Sequence, residues 1–308
     1  MSVKYLFFLP VLAISCTPQQ ERITAAEEVP VAQSVPFTTI PNLPESMTFA
    51  GETILLEDED IIERLDREVL TNAYYQSATT QIFKRAGRWF PTIERILKEE
   101  KIPNDFKYLA VIESGLVQAV SPVGAQGFWQ FMPYTAKEYR LEISPEIDER
   151  LHIEKSTRAA CAYLRAAKDT LKDWLLAAAS YNRGMGGVRQ DMRWQGTNHY
   201  FDTEQNNETA RYVFRILAFK LIFENPKAYG FDLDKIALYK PYSTKSVKVS
   251  ESIPNLAVWS LKQGINFKIL TKLNPWLKGN KLTVKSKTYT LILPAANENL
   301  KPYKEYLK

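Results

Sequence analysis

Apolar residues recur every three or four positions along most of the chain, with charged residues between them. The clearest example is the set Ile61, Ile62, Leu65, Val69 and Leu70, whose spacing matches one buried stripe of an α-helix. The same pattern predicts helices over 78–86, 92–100, 105–114, 134–139, 156–171, 174–181 and 209–223. Prolines fall between several of these segments, at Pro91, Pro103, Pro133 and Pro226. The chain up to residue 239 is therefore predicted to be mainly helical.

The last part of the chain has a different pattern. Short alternating or β-branched runs at 246–249 and 288–293 predict two strands. Between them, 255–261 and 267–273 predict two short helices, the second ended by Asn274-Pro275. This β-α-α-β order resembles the LysM peptidoglycan-binding domain. The usual opening Gly-Asp-Thr of that family is replaced here, and a small helical cap on the main domain is an equal alternative. The predicted fold class is mainly α (α+β).

Charge supports a separate C-terminal unit. The 308 residues contain 40 basic and 35 acidic residues, a net charge of +5. From Lys240 onward there are 13 lysines and three acids, which gives +10 there and leaves −5 for residues 1–239. Such a lysine excess is typical of a solvated surface or of one that meets an anionic envelope polymer. A composition of 45% hydrophobic and 24% charged residues excludes wholesale disorder.

The N-terminus has the features of a secretory signal. Lys4 precedes ten uncharged residues, 5–14, which at about 1.5 Å each are too short to cross a bilayer core of about 30 Å. The segment ends at Cys16 in a sequence that resembles the lipobox of bacterial lipoproteins, which implies lipidation of Cys16. Signal cleavage near Ala25-Ala26 is the alternative. We therefore expect an outer-membrane lipoprotein that faces the periplasm.

Neither a disulfide framework nor a metal site is expected. Cys161, the second of two cysteines, lies in an alanine-rich helical segment, where a free cysteine is usually a small buried apolar residue. The two histidines, His152 and His199, form no cluster with cysteine at metal-ligand spacing. No cofactor is needed to explain the chain.

Glu113 is the first candidate for chemistry. It ends the predicted helix that begins near Asn104 and stops before Gly115. A carboxylate there meets the negative end of the helix dipole, and apolar neighbours desolvate it, so its pKa is expected to rise. A general acid needs such a pKa. From this segment alone, an exposed surface glutamate at a helix end is the favoured interpretation, because such residues are common.

Two further segments combine glycine, aromatic and amide groups. The stretch Ser121–Pro133 joins a glycine-rich turn to Trp129, Gln130 and Phe131. The flat rings and the amide suit a sugar ring with its hydroxyls. Fifty residues later, Ser180–Gly184 ends another helix and places Tyr181 and Asn182 at its terminus.

In order and spacing, these segments resemble the motifs of the soluble-lytic-transglycosylase family 1 domain. Glu113-Ser114-Gly115, Gly127–Pro133 and Ser180–Gly184 are similar to its Glu-Ser, Gly-Leu-Met-Gln-Ile-Met-Pro and Ala-Tyr-Asn-Ala-Gly motifs. Glu208–Val213 is similar to its later Glu-Thr-x-x-Tyr-Val motif. Two positions depart from the pattern: Phe128-Trp129 replaces Leu-Met, and Arg183 replaces Ala.

The resemblance implies a lysozyme-like helical catalytic domain acting on peptidoglycan glycan strands. Such a lytic murein transglycosylase cleaves the β-1,4 bond between N-acetylmuramic acid and N-acetylglucosamine without water and leaves 1,6-anhydro ends. Glu113 would act as acid and then as base. The implied substrate-binding residues are Ser114, Ser121, Gln130, Tyr181, Asn182 and Tyr212. The resulting division is a signal peptide (1–16), a tether (17–45), an N-terminal helical extension (46–82), the catalytic domain (83–232) and a LysM-like domain (240–296).

Two other functions fit the same residues. A hydrolytic muramidase on the same fold would need a second carboxylate, for which Glu142, Glu146, Asp148 and Glu149 are available. A non-catalytic envelope lipoprotein would bind glycan only. The basic tail alone would also fit a nucleic-acid-binding protein, but the export signal argues against nucleic acid as a partner.

Overall fold

The computed structural model describes residues 39–302, and within them the chain forms ten α-helices and four β-strands. In chain order these are β1 (Ser46–Phe49), β2 (Glu52–Leu55), α1 (Glu59–Tyr74), α2 (Gln76–Glu99), α3 (Lys107–Ser114), α4 (Pro133–Glu138), α5 (Ile153–Leu171), α6 (Trp174–Arg183), α7 (Met185–Gln195), α8 (Asn207–Glu224), β3 (Thr244–Val249), α9 (Leu256–Lys262), α10 (Phe267–Leu273) and β4 (Tyr289–Pro294). The predicted signal peptide, Cys16 and most of the predicted tether lie outside the described residues. No helix in the described range is both long and apolar enough to cross a membrane.

A β-hairpin stands where the sequence pattern predicts helices only. Strands β1 and β2 pair antiparallel, and Ala50 and Gly51 connect them with positive φ of 53° and 85°. Two central residues with positive φ give a turn whose twist suits a two-residue hairpin. Met47 and Phe49 are buried while their neighbours are exposed. With four residues per strand, this alternation is too short to stand out in the sequence.

Helix α2 is longer than predicted. Its 24 residues run through Pro91, which we expected to separate two helices. Proline removes one hydrogen bond from a helix interior. Here that cost is offset by packing, since Phe83, Phe90, Ile93 and Leu97 are buried along the same helix. Tertiary burial, rather than local propensity, decides the helix length.

The helical core is built around α8. Its residues Val213, Ile216, Leu217 and Ala218 are fully buried, and the helix lies against α1, α3 and α6. Cys161 on α5 is also fully buried and free, as predicted, and burial raises the pKa of its thiol to about 12. Helix α7 was not predicted, because Gly186 and Gly187 weaken its helical pattern and its one fully buried side chain is Val188.

The C-terminal residues form the predicted β-α-α-β unit. Strands β3 and β4 pair antiparallel from Thr244↔Pro294 to Val249↔Tyr289, and α9 and α10 pack beside them around buried Leu256, Leu270 and Leu291. The expected fold class, mainly α with a small β-α-α-β unit, is confirmed.

Residues 146–152 pack into this same C-terminal cluster. Ile147 and Leu151 are buried in it, and the Asp148 amide donates to the Trp276 carbonyl at 2.8 Å. The His152 ring stacks on the Trp276 ring at a centroid distance of 5.7 Å. Burial lowers the pKa of His152 to about 4, so this stacked imidazole is neutral at pH 7.

Candidate active site

Glu113 lies in the last turn of α3, as the sequence predicts. Gly115 follows the helix with φ of 59° and donates its amide to the Val111 carbonyl at 2.7 Å, which ends the helix. The Glu113 side chain is half-buried, and Ile112 and Leu116 on either side of it are buried. The end of α3 therefore holds a carboxyl group that is largely removed from water.

Burial raises the pKa of Glu113 from 4.5 to about 7. The hydrogen bond from Tyr212 and the positive charge of Arg215 lower the pKa, while the negative charge of Glu208 adds to the increase. Desolvation dominates because the charged form of a carboxyl is the one that burial penalises. Near neutrality, both protonation states of Glu113 are consequently populated.

Tyr212 is the direct partner of Glu113. It lies on α8, and its buried hydroxyl donates to Glu113 Oε1. Burial raises the pKa of Tyr212 well above its ordinary value, so the hydroxyl keeps its proton. On the same helix, Arg215 Nη2 donates to the Ile112 carbonyl at 3.0 Å and fixes α8 against α3.

Ser114 joins this helix end to the glycine-rich loop. Its hydroxyl contacts two carbonyls, that of Ala110 at 3.1 Å and that of Phe128 at 3.0 Å. Gly127 in the loop has φ of 84°, and a Cβ there would lie 2.1 Å from the Arg150 carbonyl oxygen. Only glycine fits such a close approach at positive φ.

The loop residues Gln130 and Ser121 are engaged locally. Gln130 has φ of 46°, and its Nε2 donates to the carbonyls of Gly127 at 2.7 Å and Ala119 at 3.2 Å. The Ser121 hydroxyl accepts from the Ala125 amide at 2.9 Å. Within the described residues, neither side chain bonds to Glu113.

Tyr181 and Asn182, at the end of α6, reach the other motif segments. The Tyr181 hydroxyl donates to the Trp129 carbonyl at 2.9 Å. Asn182 Nδ2 donates to Glu208 Oε1 at 3.1 Å, and Asn182 Oδ1 accepts from Thr209 at 2.8 Å. The end of α6 is thus tied to the loop and to the start of α8.

The expectation that Trp129 and Phe131 offer rings to a sugar is wrong. Trp129 is fully buried and Phe131 is 3% exposed. Trp129 Nε1 donates to the Thr157 hydroxyl at 2.9 Å, inside the core. In the adjoining segment, Tyr134 is exposed instead.

The four carboxylates considered for a hydrolytic mechanism are engaged elsewhere. Their partners are Lys287 for Glu142, Thr283 for Glu146, Arg150 for Asp148 and Lys155 for Glu149. None of them bonds to Glu113 within the described residues. The carboxylate whose negative charge raises the pKa of Glu113 is Glu208. Glu208 belongs to a motif identified from the sequence, which predicted no role for it. No described group of His, Cys, Asp and Glu could hold a metal ion.

Arg183, the second departure from the motif pattern, has an intramolecular partner. It is the last residue of α6, and its Nε lies 3.2 Å from Asp191 on α7. A positive group at a helix C-terminus is favourable. The contact therefore fits a structural role for this residue.

Comparison with known proteins matches both parts of the chain to families. Residues 91–206 match the Transglycosylase SLT domain. The chain carries an SLT domain. This match contains Glu113, Gly127–Pro133 and Ser180–Gly184, so the resemblance inferred from these segments is confirmed, while Glu208–Val213 follows the matched residues. Residues 245–297 match the soluble lytic transglycosylase C-terminal LysM-like domain, which confirms the second resemblance.

Individual proteins are also similar to parts of the chain. Membrane-bound lytic murein transglycosylase D of Escherichia coli is 26% identical over 257 residues, which are 79% of this chain and 54% of the relative. A putative tributyltin chloride resistance protein of an Alteromonas species is 32% identical over 123 residues, 38% of this chain and 59% of that protein. The chain thus spans little more than half the length of these relatives. The crystal structure of the 70 kDa soluble lytic transglycosylase of Escherichia coli aligns with 48% of this chain and 26% of its own, at 24% identity and a TM-score of 0.38.

Proposed function

We propose that this protein is a lytic transglycosylase of peptidoglycan, with Glu113 as its catalytic residue. The observation that carries the proposal is the half-buried carboxyl of Glu113, whose pKa of about 7 lets it donate and accept a proton near neutrality. The SLT match and the lytic transglycosylase relative support the substrate class.

In the proposed reaction, a single carboxyl group serves twice. Protonated Glu113 gives its proton to the glycosidic oxygen as the bond from that oxygen to C1 of N-acetylmuramic acid breaks. The C6 hydroxyl of the same sugar then attacks C1, and its proton returns to Glu113. The product is a 1,6-anhydro end, and no water is consumed. Because the nucleophile belongs to the reacting sugar, its attack is intramolecular and needs no second carboxylate.

The other proposed site residues support Glu113 or meet the sugars. Tyr212 positions the carboxyl through its hydrogen bond. Ser114 and Tyr181 hold their helix ends against the glycine-rich loop, and Asn182 ties the end of α6 to the start of α8. All three face the sugars beside the broken bond. Gln130 uses its nitrogen within the loop, which leaves its carbonyl oxygen to accept from a sugar hydroxyl. The Ser121 hydroxyl donates a hydrogen bond to an N-acetyl group of the substrate.

The alternative is hydrolysis, and Glu208 is the observation that favours it. The negative charge of Glu208 raises the pKa of Glu113, and its carboxylate accepts a hydrogen bond from Asn182 at 3.1 Å. A glycosidase with two carboxyl groups activates water or forms a covalent intermediate, according to their separation. Hydrolysis leaves reducing ends, whereas transglycosylation leaves anhydro ends.

The deciding experiment is mass spectrometry of fragments released from purified sacculi. We expect anhydro-muropeptides, each lighter than its hydrolytic counterpart by one water, from the native protein and from the control Glu63→Gln. Glu63 is an exposed carboxylate on α1. Glu113→Gln should release none. Reducing-end products would establish a muramidase, and the absence of products from every variant would leave a glycan-binding protein.

We further propose that the chain is anchored as a periplasm-facing outer-membrane lipoprotein through Cys16. The support is the lipobox-like sequence and the similarity to membrane-bound lytic murein transglycosylase D. An inhibitor of lipoprotein signal peptidase should make the precursor accumulate. If the precursor is processed normally in its presence, Cys16 is not the anchor.

The LysM-like unit is proposed to bind the same polymer. A groove of about 450 Å³ lies between β3 and α9, lined by residues that include Val249, Asn255 and Trp259. Lysines at 248 and 262 add positive charge to it. Replacing Trp259 by Ala should weaken retention on sacculi; unchanged retention would exclude this groove.

A further inference from the structure

A second cavity, of about 480 Å³, lies on the other face of α8 from Glu113. It is bounded by α1, by Glu204 and Gln205, and by one side of α8. On α8, Asn207, Ala210 and Phe214 line it, whereas Tyr212 faces Glu113. Residues three to four apart share a helix face, so this one helix separates two sites.

Three arginines surround the cavity: Arg64, Arg67 and Arg211. Arg211 Nε donates to buried Glu68 at 2.7 Å, and Arg67 Nη2 donates to it at 3.3 Å. Arg211 Nη2 also donates to Glu68 Oε2 at 3.3 Å, and Arg64 Nε donates to Asp60 at 2.9 Å. These bonds orient the three guanidinium groups, and their further N–H groups have no hydrogen-bond partner within the described residues. Arg64 lies over the Phe214 ring, 6.0 Å from its centroid. The cavity is therefore lined by oriented donors that suit a carboxylate.

Gln205 supplies an independent sign of a ligand. The residue is 8% exposed, and neither its Nε2 nor its Oε1 has a hydrogen-bond partner within the described residues. A buried amide without partners is costly, because it has lost its bonds to water. An amide that can donate and accept is complementary to a peptide group.

The position of the cavity favours an anion. Asn207, in its lining, is the first residue of the 18-residue helix α8. The N-terminus of a helix carries partial positive charge. It adds to the three arginines of the lining, of which Arg67 and Arg211 share Glu68 while Arg64 pairs with Asp60.

The geometry points to a binding site for an acidic peptide in this cavity. The guanidinium groups of Arg64, Arg67 and Arg211 take a carboxylate, and Gln205 pairs with a neighbouring peptide group. This inference rests on the proposed function, which supplies the ligand: the peptide stem carried by the muramic acid residues of peptidoglycan. A stem that passes over the N-terminal end of α8 would position its sugar relative to Glu113.

Titration calorimetry with an acidic tetrapeptide of stem composition tests the site. The native protein should bind it, and Arg64→Gln and Gln205→Met should each weaken binding about tenfold, the effect of one lost charge-assisted or amide contact. Lys98→Gln, which removes one exposed positive charge from α2, should bind as the native protein does. Gln205→Met should also melt at the same or a higher temperature, since it removes a buried amide without partners; weakened binding therefore cannot be attributed to unfolding.

Three results would overturn the inference: no binding by the native protein, equal binding by all variants, or full competition by inorganic phosphate, which would mean a simple anion site. Glycan cleavage is measured separately, with strands from which the stems have been removed. Cleavage without peptide binding would refute this site and leave the proposed function standing. Peptide binding without cleavage would support the site while the proposed function failed.

Discussion

Replacing Glu113 by Gln is expected to stabilise the folded protein, by an amount that grows as the pH rises from about 5 to about 8. The glutamine is neutral at every pH, and its side-chain oxygen can still accept a hydrogen bond from the Tyr212 hydroxyl. The variant therefore removes the cost of ionising a desolvated carboxyl and changes little else. The test concerns stability alone, so it needs no substrate.

The magnitude follows from the pKa of Glu113. In the unfolded chain the group loses its proton near 4.5, and in the folded protein it does so near 7. Between these values the folded state binds more protons, so the free energy of unfolding of the native protein falls as the pH rises. The loss is complete above the folded pKa and, at about 1.4 kcal/mol per pKa unit, reaches about 3 kcal/mol.

Urea denaturation of the native protein and of Glu113→Gln at about pH 5 and about pH 8 measures this difference. We expect a small stability gain at the lower pH and a gain approaching about 3 kcal/mol at the higher one. Glu63→Gln reports the effect of losing an exposed carboxylate. A gain for Glu113→Gln that is equal at both values, or that shrinks as the pH rises, would refute the assignment of a desolvated carboxyl.

Four further substitutions test neighbouring parts of the site. Glu208→Gln should lower the pKa of Glu113, and Tyr212→Phe should raise it. The alkaline limb of the pH profile of glycan cleavage should therefore move to lower pH in the first variant and to higher pH in the second. An alkaline limb that stays in place in both variants would contradict the described electrostatics. Gly127→Ala should cost about 3 kcal/mol or more, since its Cβ would meet a carbonyl oxygen at 2.1 Å. Gly124 has φ of 90°, and a Cβ there would have nothing within 4 Å. Gly124→Ala should therefore lose only about 1–2 kcal/mol from backbone strain. Equal losses in the free energy of unfolding for the two glycine variants, measured in urea, would refute the steric argument.

Features that depend on neighbouring residues could be predicted from the sequence. The end of α3 at Gly115 and the position of Glu113 in its last turn follow from a glycine after an apolar helix. The two strands of the C-terminal unit follow from alternating or β-branched runs, and the end of its second short helix follows from Asn274-Pro275. In each case, local chemistry and the final packing favour the same conformation.

Features that depend on packing across the chain could not be predicted. Trp129 looks the same in sequence whether it faces a sugar or donates to Thr157 in the core. The influence of Glu208 on Glu113 arises because α8 crosses α3, and sequence spacing alone gives no sign of it. The passage of α2 through Pro91 has a similar origin, because buried side chains on both sides of the proline outweigh the lost hydrogen bond.

The C-terminal unit also bears on the candidate active site through a series of contacts. The Trp276 carbonyl accepts from the Asp148 amide, and the Asp148 carboxylate pairs with buried Arg150 at 2.7 Å. Arg150 in turn donates to the Phe131 carbonyl at 3.1 Å, and its own carbonyl lies against Gly127. Removing the unit would expose one end of this series to water. A chain without the C-terminal unit could therefore lose cleavage for two reasons, a disturbed glycine-rich loop or lost glycan binding. Substitutions within the C-terminal groove separate these two causes, because they leave the contacts to the loop in place.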